Sequence, residues 1–285
     1  MQFEYRYNQT AIHMLAASYS GHAFPAAIGW QFDYPIKNII PLKMVASSIC
    51  LPKDDPKNPR GDDAHFIASD HQFIGVADGV GGWRLSGIDG GEYARQIMSN
   101  SVVSLRGSHV KSPKRVLEEA YSKTTVQGSS TACIISFSGN KKILRAANVG
   151  DSGFLVVRNN EVVYRSPTQQ RSFNCPYQLG TTKDDPSVAL EIEFRVKKGD
   201  LVILGTDGLF DNMLESEILE TLDRGFIMLG NDLAEMCSYL ANMALYNSFD
   251  RFRVTPFSIA SSRRAGKKHR GGKIDDITVI IARIE

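Results

Sequence analysis

The chain has 285 residues, 33 Lys and Arg against 31 Asp and Glu, a formal net charge of +2, and 42% apolar residues. That length allows one large domain or two small ones, while the near-balanced charge argues against a nucleic-acid binder and the apolar content against a disordered chain. No apolar run approaches the ~18 residues of a membrane helix, and four scattered cysteines without a C-x-x-C pair suggest neither a zinc knuckle nor a disulfide framework, so the expectation is a reducing, intracellular compartment.

Residues 1–43 read as an aromatic-rich N-terminal extension, because residues 1–34 carry eight of the chain's 26 aromatics. Arg6 is the one basic residue before Lys37, a poor match to a secretory or organellar leader. Two readings stay open, a targeting segment or an extension packed against the domain. A strand is predicted at Met44–Leu51, followed by a Pro, Asp and Lys loop at Pro52–Arg60.

Short apolar runs bounded by turn residues then predict strands at Ala64–Ala68, Phe73–Ala77, Thr131–Phe137, Ile143–Val149, Phe154–Arg158, Glu161–Arg165, Leu190–Val196, Leu201–Leu204 and Ile277–Ile284. Asn159-Asn160 fits a two-residue hairpin turn. Leu190, Ile192, Phe194 and Val196 alternate with charged residues, the pattern of a sheet with one buried face. Helical spacing joins Tyr93, Ile97, Met98, Val102 and Leu105, and Ser112-Pro113 caps a second helix with Val116, Leu117 and Ala120 on one side. A second pair carries Ile218, Leu219 and Leu222, then Leu233, Met236, Cys237, Leu240 and Ala244. Strands interrupted by two helix pairs imply packed antiparallel sheets with helices outside, an α+β architecture.

The chemistry lies in acidic residues where apolar strands end. Phe73–Ala77 runs into Asp78-Gly79-Val80-Gly81-Gly82, and Leu201–Leu204 leads to Asp207-Gly208 with Asp211 beyond. Asp275-Asp276 opens the last strand, Asp62-Asp63 precedes Ala64–Ala68, and Asp151 follows Asn148-Val149-Gly150. Any one Asp-Gly pair is ordinary turn chemistry. Five acidic sites at strand ends can converge in one cleft, where carboxylates raise one another's pKa unless a cation neutralises them. An all-oxygen ligand set suits Mg²⁺ or Mn²⁺, and aspartates beside a glycine backbone suit a two-metal site acting on a phosphoester.

Asp62-Asp63-Ala64-His65, Val76-Ala77-Asp78-Gly79-Val80-Gly81-Gly82-Trp83, Gly128-Ser129-Ser130-Thr131-Ala132, Ala147–Gly153, Thr206–Asn212 and Gly272–Val279 together resemble, in order, the signatures of the metal-dependent type 2C protein serine/threonine phosphatases. The likeness spans Met44 to Glu285, taken as the catalytic domain 44–285, and is strongest to the small single-domain branch of the T-cell-activation and mitochondrial phosphatases. It implies a four-layer αββα sandwich, two antiparallel β-sheets flanked by helix pairs. It also implies a centre of two Mn²⁺ or Mg²⁺ ions, with a weaker third. By the resemblance, Asp78 bridges the two ions and the Gly79 carbonyl helps hold the first. Asp207 and Asp275 hold the second, beside Asp62, while Asp151 and Asp211 match the third ion's positions. Asp78, Asp207 and Asp275 are the catalytic expectation.

The expected reaction is hydrolysis of phosphoserine and phosphothreonine in proteins by metal-activated water, with no phosphoenzyme intermediate, since no cysteine-x5-arginine loop exists. Two positions depart from the family pattern. Val80 stands where many members carry histidine as general acid, leaving water or a neighbour such as His65. Asn58 stands where many carry a phosphate-binding arginine, leaving Lys57 or Arg60. The expected partner is a phosphoprotein substrate, with no nucleic acid and no membrane span, the protein being a monomer and, by its branch, mitochondrial or otherwise organellar. The alternatives are a weakly active or inactive regulatory or interaction module on the same fold, or a small-molecule phosphatase. The basic run Arg263, Arg264, Lys267, Lys268, Arg270 and Lys273 reads as a solvated loop before the last strand, the other reading being a patch for acidic partners or a nuclear signal.

Overall fold

The computed structural model describes residues 41–106 and 111–285, so most of the expected extension 1–43 lies outside the described residues. The strands are β1 Met44–Leu51, β2 Ala64–Ala68, β3 Phe73–Ala77, β4 Ser129–Ser130, β5 Ala132–Ser138, β6 Ile143–Val149, β7 Gly153–Arg158 and β8 Glu161–Arg165. After these come the short β9 Gln170–Ser172, β10 Cys175–Pro176 and β11 Leu179–Gly180, then β12 Leu190–Arg195, β13 Leu201–Gly205 and β14 Ile277–Ile284. The helices are α1 Gly90–Leu105, α2 Pro113–Lys123, α3 Asp207–Phe210, α4 Glu215–Leu229, α5 Leu233–Phe249 and α6 Pro256–Ala265.

Two five-stranded antiparallel sheets carry the fold, one in the order β1-β14-β13-β7-β8 and the other β12-β6-β5-β3-β2. Strand periodicity explains the layering, since successive side chains alternate between faces. In β14, Ile280, Ala282 and Ile284 enter the core between the sheets, where they meet Ile74, Val76, Cys133 and Ile135 of the other sheet. Ile277, Val279 and Ile281 of the same strand face outward under Leu240, Met236 and Ile218 of α4 and α5. On the far side, Ile97, Met98, Val116 and Leu117 of α1 and α2 cover Ile134, Ala147 and Val149. The result is the expected αββα sandwich. Because central strands are covered on both faces, they read as mostly apolar runs, whereas edge strand β12 alternates with Ile192 and Phe194 half-buried.

Local chemistry accounts for the element ends. Asn159 and Asn160 both take positive φ, 51° and 61°, in the β7–β8 turn. Asp89 caps α1 through the Gly91 N–H, and Ser112 caps α2 through Arg115 N–H. One expectation is corrected. The basic run is not a single solvated loop: Arg263 and Arg264 lie in the last turn of α6, which Thr255 caps and Pro256 opens, and Lys273 is largely buried.

Ile280, fully buried between the sheets, is the test of this layering. Ile280→Ala is expected to lower unfolding free energy by about 2–5 kcal/mol, whereas Ile227→Ala, at a position 78% exposed, is expected to stay within about 0.5 kcal/mol. Urea titration of the two variants measures the difference.

Candidate metal centre

The sandwich brings the acidic strand ends together at one edge. Asp78 ends β3 in one sheet, while Asp207 and Asp275 flank the neighbouring strands β13 and β14 of the other. The Gly128–Ala132 motif fixes Asp78: Thr131 Oγ1 accepts the Asp78 N–H at 3.0 Å, and Thr131 N–H donates to the Asp78 carbonyl at 2.9 Å. Gly79 N–H donates to the Asp62 carbonyl at 3.1 Å, and a Cβ at Gly79 would collide with the Gly90 and Asp62 carbonyls. A Cβ at Gly208 would likewise strike the Asp276 carbonyl. These glycines let the backbone segments bearing the aspartates approach one another.

Asp78, Asp151 and Asp207 each offer a carboxylate oxygen, and the three lie within 4.8 Å of one another. Asp151 Oδ1 and Asp207 Oδ1 are buried without any hydrogen-bond partner. Such an unpaired buried oxygen costs on the order of 1–3 kcal/mol, so these two atoms fit a hard cation that would accept their lone pairs. Burial, then the Asp207 charge, pushes Asp78 well above the ordinary carboxylate range. Asp151 is pushed up to about 6 by burial and Asp207, although Gln170 Nε2 donates to its Oδ2 at 2.9 Å.

The remaining expected ligands are held by cations of the chain itself. Lys53 Nζ lies 3.1 Å from Asp275 Oδ1, 3.4 Å from Asp276 Oδ2 and 3.5 Å from Asp62 Oδ2. Lys273 Nζ contacts Asp207 Oδ2, Asp211 Oδ2 at 3.1 Å and Asp275 Oδ2 at 3.2 Å. Burial opposes ionisation of Asp275, but Lys273 and Lys53 outweigh it and hold that carboxyl below its usual range. Asp211, with one lysine contact, is pushed up to about 7 by burial and Asp207. Asp62 is raised by burial despite its partners, with Asn58 Nδ2 on Oδ1 at 2.8 Å and the Arg84 guanidinium on Oδ2.

Two further aspartates tie the frame. Asp63 Oδ2 accepts Thr206 Oγ1–H at 2.8 Å and Thr278 Oγ1–H at 2.7 Å, linking the start of β2 to the ends of β13 and β14. Asp276 accepts the backbone N–H groups of Lys53 at 2.7 Å and Asp62 at 2.9 Å.

The other sequence expectations fall elsewhere. Arg60, 65% exposed, pairs with Asp89 and Glu92. Lys57 is exposed and makes a backbone N–H bond to Asp55. Neither touches the carboxylate cluster. His65 Nε2 sits 3.0 Å from Ser48 Oγ, and burial lowers its pKa. Three cations in the cluster were missed: Lys53, Arg84 and Lys273. Arg84 directly follows the Gly81-Gly82-Trp83 motif and Lys273 lies two residues before Asp275, the signals available in the sequence. Lys53 sits in a loop with other lysines and carries none.

A trio of aspartates, two of them with bare buried oxygens, set at the edge of an αββα sandwich, fits a site for a hard divalent cation. The family model for stage II sporulation protein E (SpoIIE) matches residues 70–253. Protein phosphatase PTC7 homolog fig of Drosophila grimshawi is 38% identical over 247 residues, covering 79% of this chain and 80% of its own length. Probable protein phosphatase 2C 55 of Arabidopsis thaliana is 46% identical over 246 residues, 85% of this chain. The chain spans about half the length of that plant relative, 52%. The X-ray structure of the photosystem II phosphatase PBCP superposes with a TM-score of 0.79 and 29% identity, over 85% of this chain and 99% of that one. The manganese complex of the catalytic domain of the phosphatase PstP shares the fold at a TM-score of 0.60 and 17% identity, over 85% of this chain and 99% of that one. The chain therefore belongs to the type 2C, or PPM, protein phosphatase family.

The carboxylate shifts set a pH dependence. Asp211, raised to about 7, and Asp151, raised to about 6, bind protons more tightly folded than unfolded. Their stabilisation is complete below the unfolded value of 3.8 and is lost as pH rises through those folded values. His65 is lowered and acts oppositely, but its contribution is complete by about pH 6.5. In chelator, the melting temperature is expected to fall between about pH 6.5 and 8, and in Mn²⁺, which binds the ionised carboxylates, to hold or rise. Differential scanning calorimetry in the two buffers checks the signs.

Proposed function

We propose that this chain removes phosphate from phosphoserine and phosphothreonine in proteins, using two Mn²⁺ or Mg²⁺ ions. The observation that carries this reading is the cluster of Asp78, Asp151 and Asp207, with two buried oxygens left bare, on a phosphatase fold. Asp78, the Gly79 carbonyl, Asp207 and Asp275 would hold the ions, with Asp62 beside them and Asp151 and Asp211 at the margin. When bound, such ions supply charge neutralisation and activate water against a phosphoester.

The residues of the chain supply positioning. Arg84 spans from buried Asp62 to half-exposed Asp55, 2.7 Å from its Nη1, and its planar fork matches two phosphate oxygens. In this reading it takes the part expected of Lys57 or Arg60. The leaving oxygen takes its proton from water, because Val80 offers none and His65 is engaged with Ser48. Direct hydrolysis fits the thiols too. Burial and then Asp63 push Cys50 up to about 12, and burial pushes Cys237 up to about 12, so neither is a thiolate nucleophile near neutral pH.

We take 44–285 as the catalytic domain with 1–43 as an extension, the protein as a monomer and, from its branch resemblance, its compartment as organellar. No helix among the described residues is long and apolar enough to cross a membrane.

Chelator is expected to abolish phosphate release from a phosphothreonine peptide, with Mn²⁺ restoring it. Asp78→Asn and Asp207→Asn are each expected to lower kcat by about 10²–10³-fold, the size of loss when one preorganised charged group is removed. Activity that survives chelator or both substitutions would sink the reading. Arg84→Ala is expected to raise KM by about tenfold, the loss of a charge-assisted bond worth ~1.5 kcal/mol. Lys57→Ala and Arg60→Ala put the sequence-based expectation through the same assay.

A further inference from the structure

Lys273 belongs to a run of basic residues, yet it does not behave as a surface charge. Its side chain is 17% exposed, and its Nζ touches Asp207, Asp211 and Asp275 at once. The backbone is fixed as firmly as the head group. Lys273 N–H donates to Asn212 Oδ1 at 2.8 Å, and Asn212 Nδ2 donates back to the Lys273 carbonyl at 2.8 Å. Asn212 is fully buried, and its Nδ2 also donates to the Gly208 carbonyl at 2.9 Å. Upstream, Gly271 and Gly272 N–H groups are bound by the Arg253 and Asp250 carbonyls at 2.8 and 3.1 Å. A Cβ at Gly272 would collide with the Asn247 carbonyl, so this stretch lies flat against the end of α5.

We infer that Lys273 is a resident cation of the metal centre, filling the place of an ion between Asp207 and Asp211. The inference rests on the two-ion reading above and adds to it. A tethered ammonium presents an effective concentration of about millimolar or more. A divalent ion entering at Asp211 would first have to displace an ammonium held by three carboxylates. Asp207 Oδ2 and Asp211 Oδ2 are thereby neutralised by the chain, while Asp207 Oδ1 remains bare toward Asp78 and Asp151. Lys273 thus supplies charge to Asp211 and to one oxygen each of Asp207 and Asp275, and leaves Asp207 Oδ1, with Asp78 and Asp151, for ions.

The test is a count of bound metal by isothermal titration with Mn²⁺, together with the reactivity of lysines. Lys273→Met removes the charge while keeping a side chain of similar length. It is expected to take up one more Mn²⁺ than the wild type, or to bind its weakest ion about tenfold tighter. Lys273→Arg is expected to keep the wild-type isotherm, and Asp211→Asn in the Lys273→Met background to cancel the gain. An isotherm for Lys273→Met that overlays the wild type, or a gain that survives Asp211→Asn, overturns the inference. A wild type that binds no Mn²⁺ overturns instead the two-ion reading. Reductive methylation of the wild-type protein gives a readout that needs no variant to fold. Lys273 is expected to stay protected with and without Mn²⁺, while Lys267 and Lys268 react in both. Exposure of Lys273 on adding Mn²⁺ would show that ions displace it, and the inference fails.

Discussion

Repulsion among carboxylates gathered at one edge of the sandwich is the constraint on which the rest of this structure depends. The fold places strand ends from both sheets there, and each ends in aspartate. Unopposed, those charges would drive the sheets apart at that edge or take up protons. The chain meets part of the charge itself, through Lys53, Lys273 and Arg84. What it leaves unmet includes the bare buried oxygens of Asp151 and Asp207, clustered with Asp78. Divalent cations at that point would meet much of the charge that remains, so that stability and metal binding would draw on one set of interactions.

The fold was legible because its sheets are covered on both faces. Phe73–Ala77 is an unbroken apolar run and Ile277–Ile284 is interrupted only by Thr278 and Arg283, and their ends are marked by Asp-Gly and Asp-Asp, so β3 and β14 begin and end as expected. The edge strand β12 betrayed itself by alternation instead. α6 was not legible, since its short run from Pro256 carries few apolar residues and its last turn looked like part of a charged loop. Its stability comes from the Thr255 cap and from Thr255 Oγ1–H donating to the Gly271 carbonyl, a long-range contact that no local pattern encodes.

The acidic half of the site could be read and the basic half could not. One aspartate at a strand end is ordinary turn chemistry, but the recurrence of acidic residues at five strand ends is conspicuous. A lysine in a loop is the commonest of surface residues, and only the fold reveals that Lys53 and Lys273 point inward. Arg60 and Lys57 looked better by spacing, yet the loop carries them outward, and Asn58 of that loop is the residue that turns in, toward Asp62. Position in sequence locates a backbone and does not fix the direction of a long flexible side chain.

The hydroxyls of Thr206 and Thr278 meet on Asp63, which joins one sheet to the other directly beneath the acidic edge. With Ile280, Val76 and their neighbours interlocked below, the gap between Asp78 on one sheet and Asp207 on the other is fixed by the scaffold. A change in the core between the sheets would therefore shift the acidic edge, so the spacing of these carboxylates is set by packing some distance away from it.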